Sequence, residues 1–75
     1  MEKDAAVAEV SSLLTLREKE IISLLATGIL NKEMALTLGL SLNTVRNHLK
    51  NIYRKIEVDN RVEAVIWYYR TNEES

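Results

Sequence analysis

Apolar residues recur at steps of three and four along most of this chain, a spacing that places them on one face of a helix. The first such stretch predicts a helix over residues 15–27. Thr15 and Glu18 form a capping-box pattern at its start, in which each side chain bonds the other residue's backbone amide. Gly28 follows its last turn, where a left-handed C-cap is expected. The predicted core positions of this helix are Ile21, Leu24 and Leu25.

A short helix, a tight turn and a longer helix come next. The short helix is predicted over residues 31–38 with Asn31 as its N-cap, and Gly39 ends it because glycine adopts a positive φ at little cost. Ser41 is the predicted N-cap of the longer helix, which we place at about residues 42–55. This sequence of elements predicts a helix-turn-helix. The apolar stripe of the longer helix consists of Val45, Leu49, Ile52 and Ile56.

The fourth predicted helix, at about residues 61–69, has almost no polar face. Asn60 and Glu63 form a second capping-box pattern at its start. Ala64 and Tyr68 are expected on the side that faces the core. A second apolar stripe follows the spacing i, i+3, i+4, i+7 and suits pairing with a twin helix. It consists of Val62, Val65, Ile66 and Tyr69.

Chain length and composition fit one small all-α domain. The chain has 75 residues, no cysteine and no proline, which excludes disulfides and favours helices. A single histidine, His48, argues against a histidine-built metal site. We expect residues 1–14 to be a flexible tail or linker, residues 15–70 to form the domain and residues 71–75 to fray. No apolar run is long enough for a membrane span or a secretion signal, which predicts a cytoplasmic protein.

Charge is distributed unevenly along the chain. The net charge is −1, but the acids cluster near both ends. Between residues 41 and 56 every charged residue is basic, and these residues are Arg46, Lys50, Arg54 and Lys55. Because the local charge sets the field that a phosphate backbone meets, this segment favours DNA binding over a merely solvated face.

The residues of these helices resemble the LuxR-type helix-turn-helix domain, the family of the NarL, FixJ and GerE output domains. The resemblance covers about residues 14–69. It rests on Leu16-Arg17-Glu18-Lys19-Glu20, Asn31-Lys32-Glu33-Met34-Ala35, Ser41-Leu42-Asn43-Thr44-Val45-Arg46-Asn47-His48, Lys55-Ile56-Glu57-Val58, and Arg61 with Ala64-Val65. It implies a four-helix domain of a bacterial transcription regulator, with the third helix in the major groove of DNA and the fourth helix pairing across a two-fold axis.

The resemblance also implies roles for single residues and a set of partners. Base contacts are expected at Arg46, Asn47 and Lys50, which suits the guanine and adenine edges. The implied partners are duplex DNA with an inverted-repeat site, a second copy of the chain, and RNA polymerase, with no membrane and no small-molecule ligand or cofactor for this domain. Phosphate contacts are expected at Lys32, Ser41, Thr44, Arg54 and Lys55.

Three other interpretations have less support. A protein-interaction module could use the same fold through its apolar fourth helix, and the acid-free third helix argues against it. A base-stacking platform of Trp67, Tyr68 and Tyr69 is disfavoured because consecutive helical residues point in different directions. Acid–base catalysis by Glu18 and Glu20 is disfavoured on the same ground, and one of the two is instead expected to pair with Arg61. Catalytic and metal-binding roles are therefore assigned to no residue, and the sequence leaves open whether the chain is a complete regulator or one domain of a longer protein.

Overall fold

The fold consists of helices connected by short turns. The computed structural model describes residues 13–74, with side chains up to residue 71. Within this part of the chain there are four helices and no strand, so the all-α prediction is confirmed. The helices are α1 (Leu16–Ala26), α2 (Asn31–Leu38), α3 (Leu42–Ile56) and α4 (Arg61–Glu74).

The predicted capping box opens α1. Thr15 Oγ1 accepts a hydrogen bond from Glu18 N at 3.1 Å, and Glu18 Oε1 accepts one from Thr15 N at 2.9 Å. These two bonds satisfy backbone donors that have no partner inside the helix. At the other end Gly28 has a φ of +91°, as expected for the residue after a helix C-cap.

The start of α2 differs from the prediction. Leu30, not Asn31, is the N-cap, and its amide donates to Glu33 Oε1 at 2.9 Å. Since leucine has no side-chain acceptor, only the acidic half of a capping box forms here. The Asn31 side chain is instead used in a contact with α4, which the local pattern could not reveal.

The turn between α2 and α3 has the geometry of a helix-turn-helix. Gly39 has a φ of +69°, and Leu40 N donates to Ala35 O at 2.9 Å, which closes the end of α2. Ser41 then caps α3, because its Oγ accepts from Thr44 N at 3.0 Å. The two caps and the glycine fix the angle at which α3 leaves α2.

One core holds all four helices together. The stripe predicted for α3 is buried along its whole length, with Val45 and Ile52 fully inaccessible. Leu14, which the tail was predicted to include, is 5% exposed and belongs to this core. The other calls on residues 1–12 lie outside the described residues. The buried apolar side chains are Leu14, Ile21, Ile22, Leu25, Met34, Ala35, Val45, Leu49, Ile52, Ile56 and Ala64.

Helix α4 departs from the prediction at both ends. At its start Asn60 Oδ1 accepts from Glu63 N at 3.0 Å, but the Glu63 carboxylate accepts from Asp59 N rather than from Asn60 N. At its end the helix runs to Glu74, beyond the predicted end at about residue 69. Residues 70–74 contain no glycine or proline, so the backbone ladder continues without an apolar face to support it.

Candidate nucleic-acid interface

The exposed side of α3 is polar and free of acids. Because the apolar stripe fixes the rotation of the helix, the opposite side faces solvent. Six polar residues on this side are exposed, and they are Asn43, Arg46, Asn47, Lys50, Asn51 and Arg54. The three residues predicted to contact bases are among them, so this face is sterically open to a duplex.

The residues predicted to contact phosphates differ in exposure and in their hydrogen-bond partners. Lys32 and Arg54 are exposed, at the first turn of α2 and the last turn of α3. Ser41 and Thr44 lie at the start of α3, and their hydroxyls are 2.8 Å apart, with either able to donate to the other. Ser41, Thr44 and Arg54 thus lie at the two ends of α3, whereas Lys32 lies on the exposed side of α2.

Lys55, the fifth residue of that set, is engaged inside the protein. Its Nζ donates to Glu18 Oε1 at 2.8 Å and ties α3 to α1. The predicted ion pair of Glu18 or Glu20 with Arg61 is wrong, since Glu18 pairs with Lys55 and Glu20 lies 3.5 Å from Arg17. One of the three ammonium donors of Lys55 is therefore engaged with α1, while its side chain remains partly exposed.

The Glu18 carboxylate is held in its charged form. The side chain is buried, and burial on its own raises the pKa of this carboxyl. Hydrogen bonds from Lys55 and from the Thr15 amide, together with the charge of Lys55, outweigh that effect and lower its pKa from the usual value. Glu18 is consequently a structural anion that joins the α1 cap to α3.

Arg61, the first residue of α4, is tied to the start of α2. Its guanidinium donates through Nη1 to Asn31 Oδ1 at 3.3 Å and through Nη2 to the backbone oxygen of Ile29. The first residue of α4 is thereby bonded to the turn just before the exposed Lys32. The sequence pattern marked Arg61 as similar to the family but did not reveal its partners, because those partners depend on how α4 crosses α2.

A shallow, open cleft lies along the side of α3 that carries Arg46, Lys50 and Tyr53. It has a volume of about 270 Å³ and is lined by Asn31, Arg46, Leu49, Lys50 and Tyr53. Burial raises the pKa of the half-buried Tyr53, and the positive charge of Arg61 lowers it in part. The hydroxyl of Tyr53 therefore stays protonated well above neutral pH. Tyr53 was not among the residues that the sequence pattern singled out.

The outer face of α4 combines exposed and packed apolar side chains. Val62 is 67% exposed and Ile66 is 46% exposed. Val65 is half-buried against the core, and the exposed Tyr69 donates its hydroxyl to Ala26 O at 3.0 Å. Ala64 is fully buried and Tyr68 packs against the core, so the predicted inward side of α4 is confirmed.

Comparisons with known proteins agree on one family. The family model described as "Bacterial regulatory proteins, luxR family" matches residues 12–68. The probable csgAB operon transcriptional regulatory protein of Salmonella typhimurium is 53% identical over 57 residues, 76% of this chain and 26% of that protein. The response regulator protein VraR of Staphylococcus aureus is 42% identical over 65 residues, 87% of this chain and 31% of that protein.

A solved structure has the same arrangement of helices. The response regulator StyR superposes with a TM-score of 0.85 and is 30% identical, covering 92% of this chain and 35% of its own. The chain thus spans between a quarter and about a third of the length of these relatives. The region matched by the family model, residues 12–68, includes the turn between α2 and α3, all of α3 and most of α4.

Proposed function

This chain belongs to the luxR family of bacterial regulatory proteins and folds as the helix-turn-helix domain of that family, and on this premise we propose that it regulates transcription by inserting α3 into the major groove of DNA. The observation that carries the proposal is the open face of α3, on which the exposed charges, Arg46, Lys50 and Arg54, are all positive. A helix of this width fits the major groove, which is about 12 Å wide.

In this proposal one group of residues contacts bases and another contacts phosphates. Arg46, Asn47 and Lys50 lie in the first half of α3 and contact base edges, whereas Lys32, Ser41, Thr44 and Arg54 flank them and contact phosphates. Lys55 contributes indirectly, because its ion pair with Glu18 sets the position of α3. This assignment moves Lys55 from the predicted phosphate contacts to the residues that hold the fold.

Pairing of two copies through α4 completes the proposal. Val62 and Ile66 are exposed apolar side chains on a small domain, and covering them by a second copy removes their surface from water. A two-fold pair would place two α3 helices about 34 Å apart, on an inverted-repeat site with half-sites one turn apart. The site of action is the bacterial cytoplasm, and contact with RNA polymerase is the route by which bound protein would change transcription.

The test has two stages. Selection of bound sequences from a random duplex pool should yield an inverted repeat. Binding of that site is then measured by fluorescence anisotropy for the wild type and for the double variant Arg46→Ala/Lys50→Ala. We expect a loss of about 30-fold or more, since each of the two lost base contacts costs about 1–3 kcal/mol.

The matched control removes two positive charges from another helix. Arg17 and Lys19 are exposed on α1, and Arg17→Ala/Lys19→Ala changes the net charge by the same amount. The control should bind within about threefold of wild type at moderate salt, because surface charges away from the duplex are screened. Equal losses in the two double variants would reject α3 as the reading helix.

A protein-interaction module that uses the face of α4 is the second candidate. The exposure of Val62 and Ile66 favours it. Absence of any selected sequence, together with a salt-independent association between proteins, would support this candidate against DNA binding.

A further inference from the structure

The cleft beside α3 contains a tyrosine that the sequence did not mark as functional. Its lining contains two cations and no acid, the cations being Arg46 and Lys50. Asn31 adds a polar side chain, and Leu49 is buried. Such a lining offers several hydrogen-bond donors and no negative charge, which suits a phosphate group.

The position of Tyr53 along α3 separates it from the residues that face the bases. Arg46, Lys50 and Tyr53 are spaced i, i+4, i+7 and so lie on one side of the helix. At a rise of 1.5 Å per residue, Tyr53 lies about 10 Å further along the axis than Arg46. A helix that enters a groove about 12 Å wide with its first half deepest would bring Tyr53 towards the groove wall, where the sugar–phosphate strand runs.

The ring of Tyr53 is fixed in place by packing. It is half-buried and packs against the core, while the residue still lines the cleft. A ring held in this way loses little side-chain entropy when its hydroxyl forms a bond. Tyrosine supplies both the packed ring and a polar tip, which phenylalanine would not.

We propose that one phosphate of the DNA backbone lies at the Tyr53 end of the cleft of Asn31, Arg46, Leu49, Lys50 and Tyr53, and that the Tyr53 hydroxyl donates a hydrogen bond to it, while Arg46 and Lys50 reach the base edges and contribute only their positive charge to the phosphate. The proposal rests on α3 lying in the major groove, as argued above. Tyr53 is then a positioning residue that sets how far along its axis α3 enters the groove, without reading any base.

Tyr53→Phe is the test because it removes the hydroxyl and keeps the ring. A hydrogen bond to a charged group contributes enough that its loss should weaken binding about 10- to 100-fold in fluorescence anisotropy. The loss should be the same for the selected site and for an unrelated duplex, because a phosphate carries no sequence information. The slope of affinity against salt should not change, since the hydroxyl is neutral.

Tyr68→Phe is the matched control. Tyr68 is also half-buried and packed against the core, but it lines a different groove, between α1 and α4. It should bind DNA as the wild type does. Far-UV circular dichroism and the melting temperature of both variants would verify that each is folded.

A second measurement identifies the phosphate itself. Neutral methylphosphonate is placed at one phosphate at a time along the selected site. One position should weaken the wild type more than it weakens Tyr53→Phe, because the variant has already lost that contact. Inorganic phosphate added to the wild type should compete only weakly, since a free ion lacks the contacts of the duplex.

The outcomes separate this inference from the proposed function. Wild-type binding by Tyr53→Phe, alongside a large loss in Arg46→Ala/Lys50→Ala, would overturn the role of Tyr53 and leave DNA binding intact. A loss confined to the selected site would also overturn it, because the hydroxyl would then be reading a base. Undiminished binding by Arg46→Ala/Lys50→Ala would reject the proposed function itself.

Discussion

Helices α3 and α4 are of similar length, yet they expose opposite kinds of surface. In α3 the apolar stripe is buried and the exposed side chains are polar or cationic. In α4 Ala64 is the fully buried apolar residue, while Val62 and Ile66 remain exposed. A helix with a solvated outer face is stable without a partner, whereas exposed apolar surface gains free energy from being covered. The surface of α3 therefore suits electrostatic recognition, and that of α4 suits apolar association.

The largest effect is expected for a cavity in the core under α3. Ile52 is fully buried, and Ile52→Ala should lower the free energy of unfolding by about 2–5 kcal/mol. Ile66→Ala removes the same atoms from α4 at a side chain that is 46% exposed, and should cost under about 1 kcal/mol. Urea denaturation of both variants gives the two values. Equal losses would erase the distinction drawn between the two helices.

A smaller effect is expected for the ion pair that anchors α3. Lys55→Met keeps the aliphatic stem but removes the donor to the buried Glu18 carboxylate, so unfolding should become easier by about 1–2 kcal/mol. Lys50→Met makes the same change at an exposed position of α3 and should stay within about 0.5 kcal/mol. Urea midpoints compare the two, and a more damaging Lys50→Met would contradict the anchoring role of Lys55.

The same pair predicts a dependence on pH. The pKa of Glu18 is lower in the folded chain than its ordinary value of 4.5, so the unfolded chain binds this proton first as the pH falls. Its stabilising contribution is complete above pH 4.5 and is lost as the pH drops through the folded pKa. The difference in unfolding free energy between wild type and Lys55→Met should therefore shrink in acid. A difference that stays constant down to pH 3 would show that Lys55 does not act through this carboxylate.

The cap of α3 allows its structural and DNA-binding roles to be separated. Ser41→Ala removes the acceptor for the Thr44 amide and should cost about 1 kcal/mol of stability. Ser41→Asp keeps an acceptor and should retain stability, but its negative charge should weaken DNA binding if a phosphate lies nearby. Thermal melts and anisotropy measure the two effects. Unchanged affinity in Ser41→Asp would remove Ser41 from the phosphate contacts.

The smallest change in stability is expected on the exposed face of α4. Ile66→Lys should leave the unfolding free energy of a single copy within about 0.5 kcal/mol, because the side chain is nearly half exposed. It should nevertheless abolish pairing, measured by sedimentation, and reduce binding to a two-half-site duplex more than to a single half-site. Unaltered preference for the double site would mean that the copies pair elsewhere.

Local patterns predicted what is decided locally. The Thr15–Glu18 box, the Ser41 cap and the rotation of α3 depend on residues within a few positions of one another, and all were predicted correctly. The Asn31 cap was wrong because Glu33 reaches the Leu30 amide and Asn31 accepts from Arg61, thirty residues away along the chain. The contact with Arg61 depends on the packing of distant segments, which periodicity does not contain, whereas the Glu33–Leu30 bond is local and was not predicted.

In the candidate site, too, features set by nearby residues could be predicted, and contacts between distant segments could not. The exposed face of α3 could be predicted, since a buried stripe at helical spacing leaves its opposite side to solvent. The engagement of Lys55 could not, because its charge is equally suited to a phosphate and to Glu18 until the distance between α1 and α3 is known. Tyr53 was missed for a related reason, as a tyrosine at the edge of an apolar stripe is typical of a core position.

The hydroxyl of Tyr69 bonds the carbonyl of Ala26 at the end of α1, while its ring lies on the exposed face of α4. One exposed side chain thus both ties α4 to the end of α1 and contributes to the apolar face proposed for pairing. Val62 and Ile66 can therefore be changed to alter what this surface binds. Replacing Tyr69 would also remove the hydrogen-bond donor to the Ala26 carbonyl in the last turn of α1.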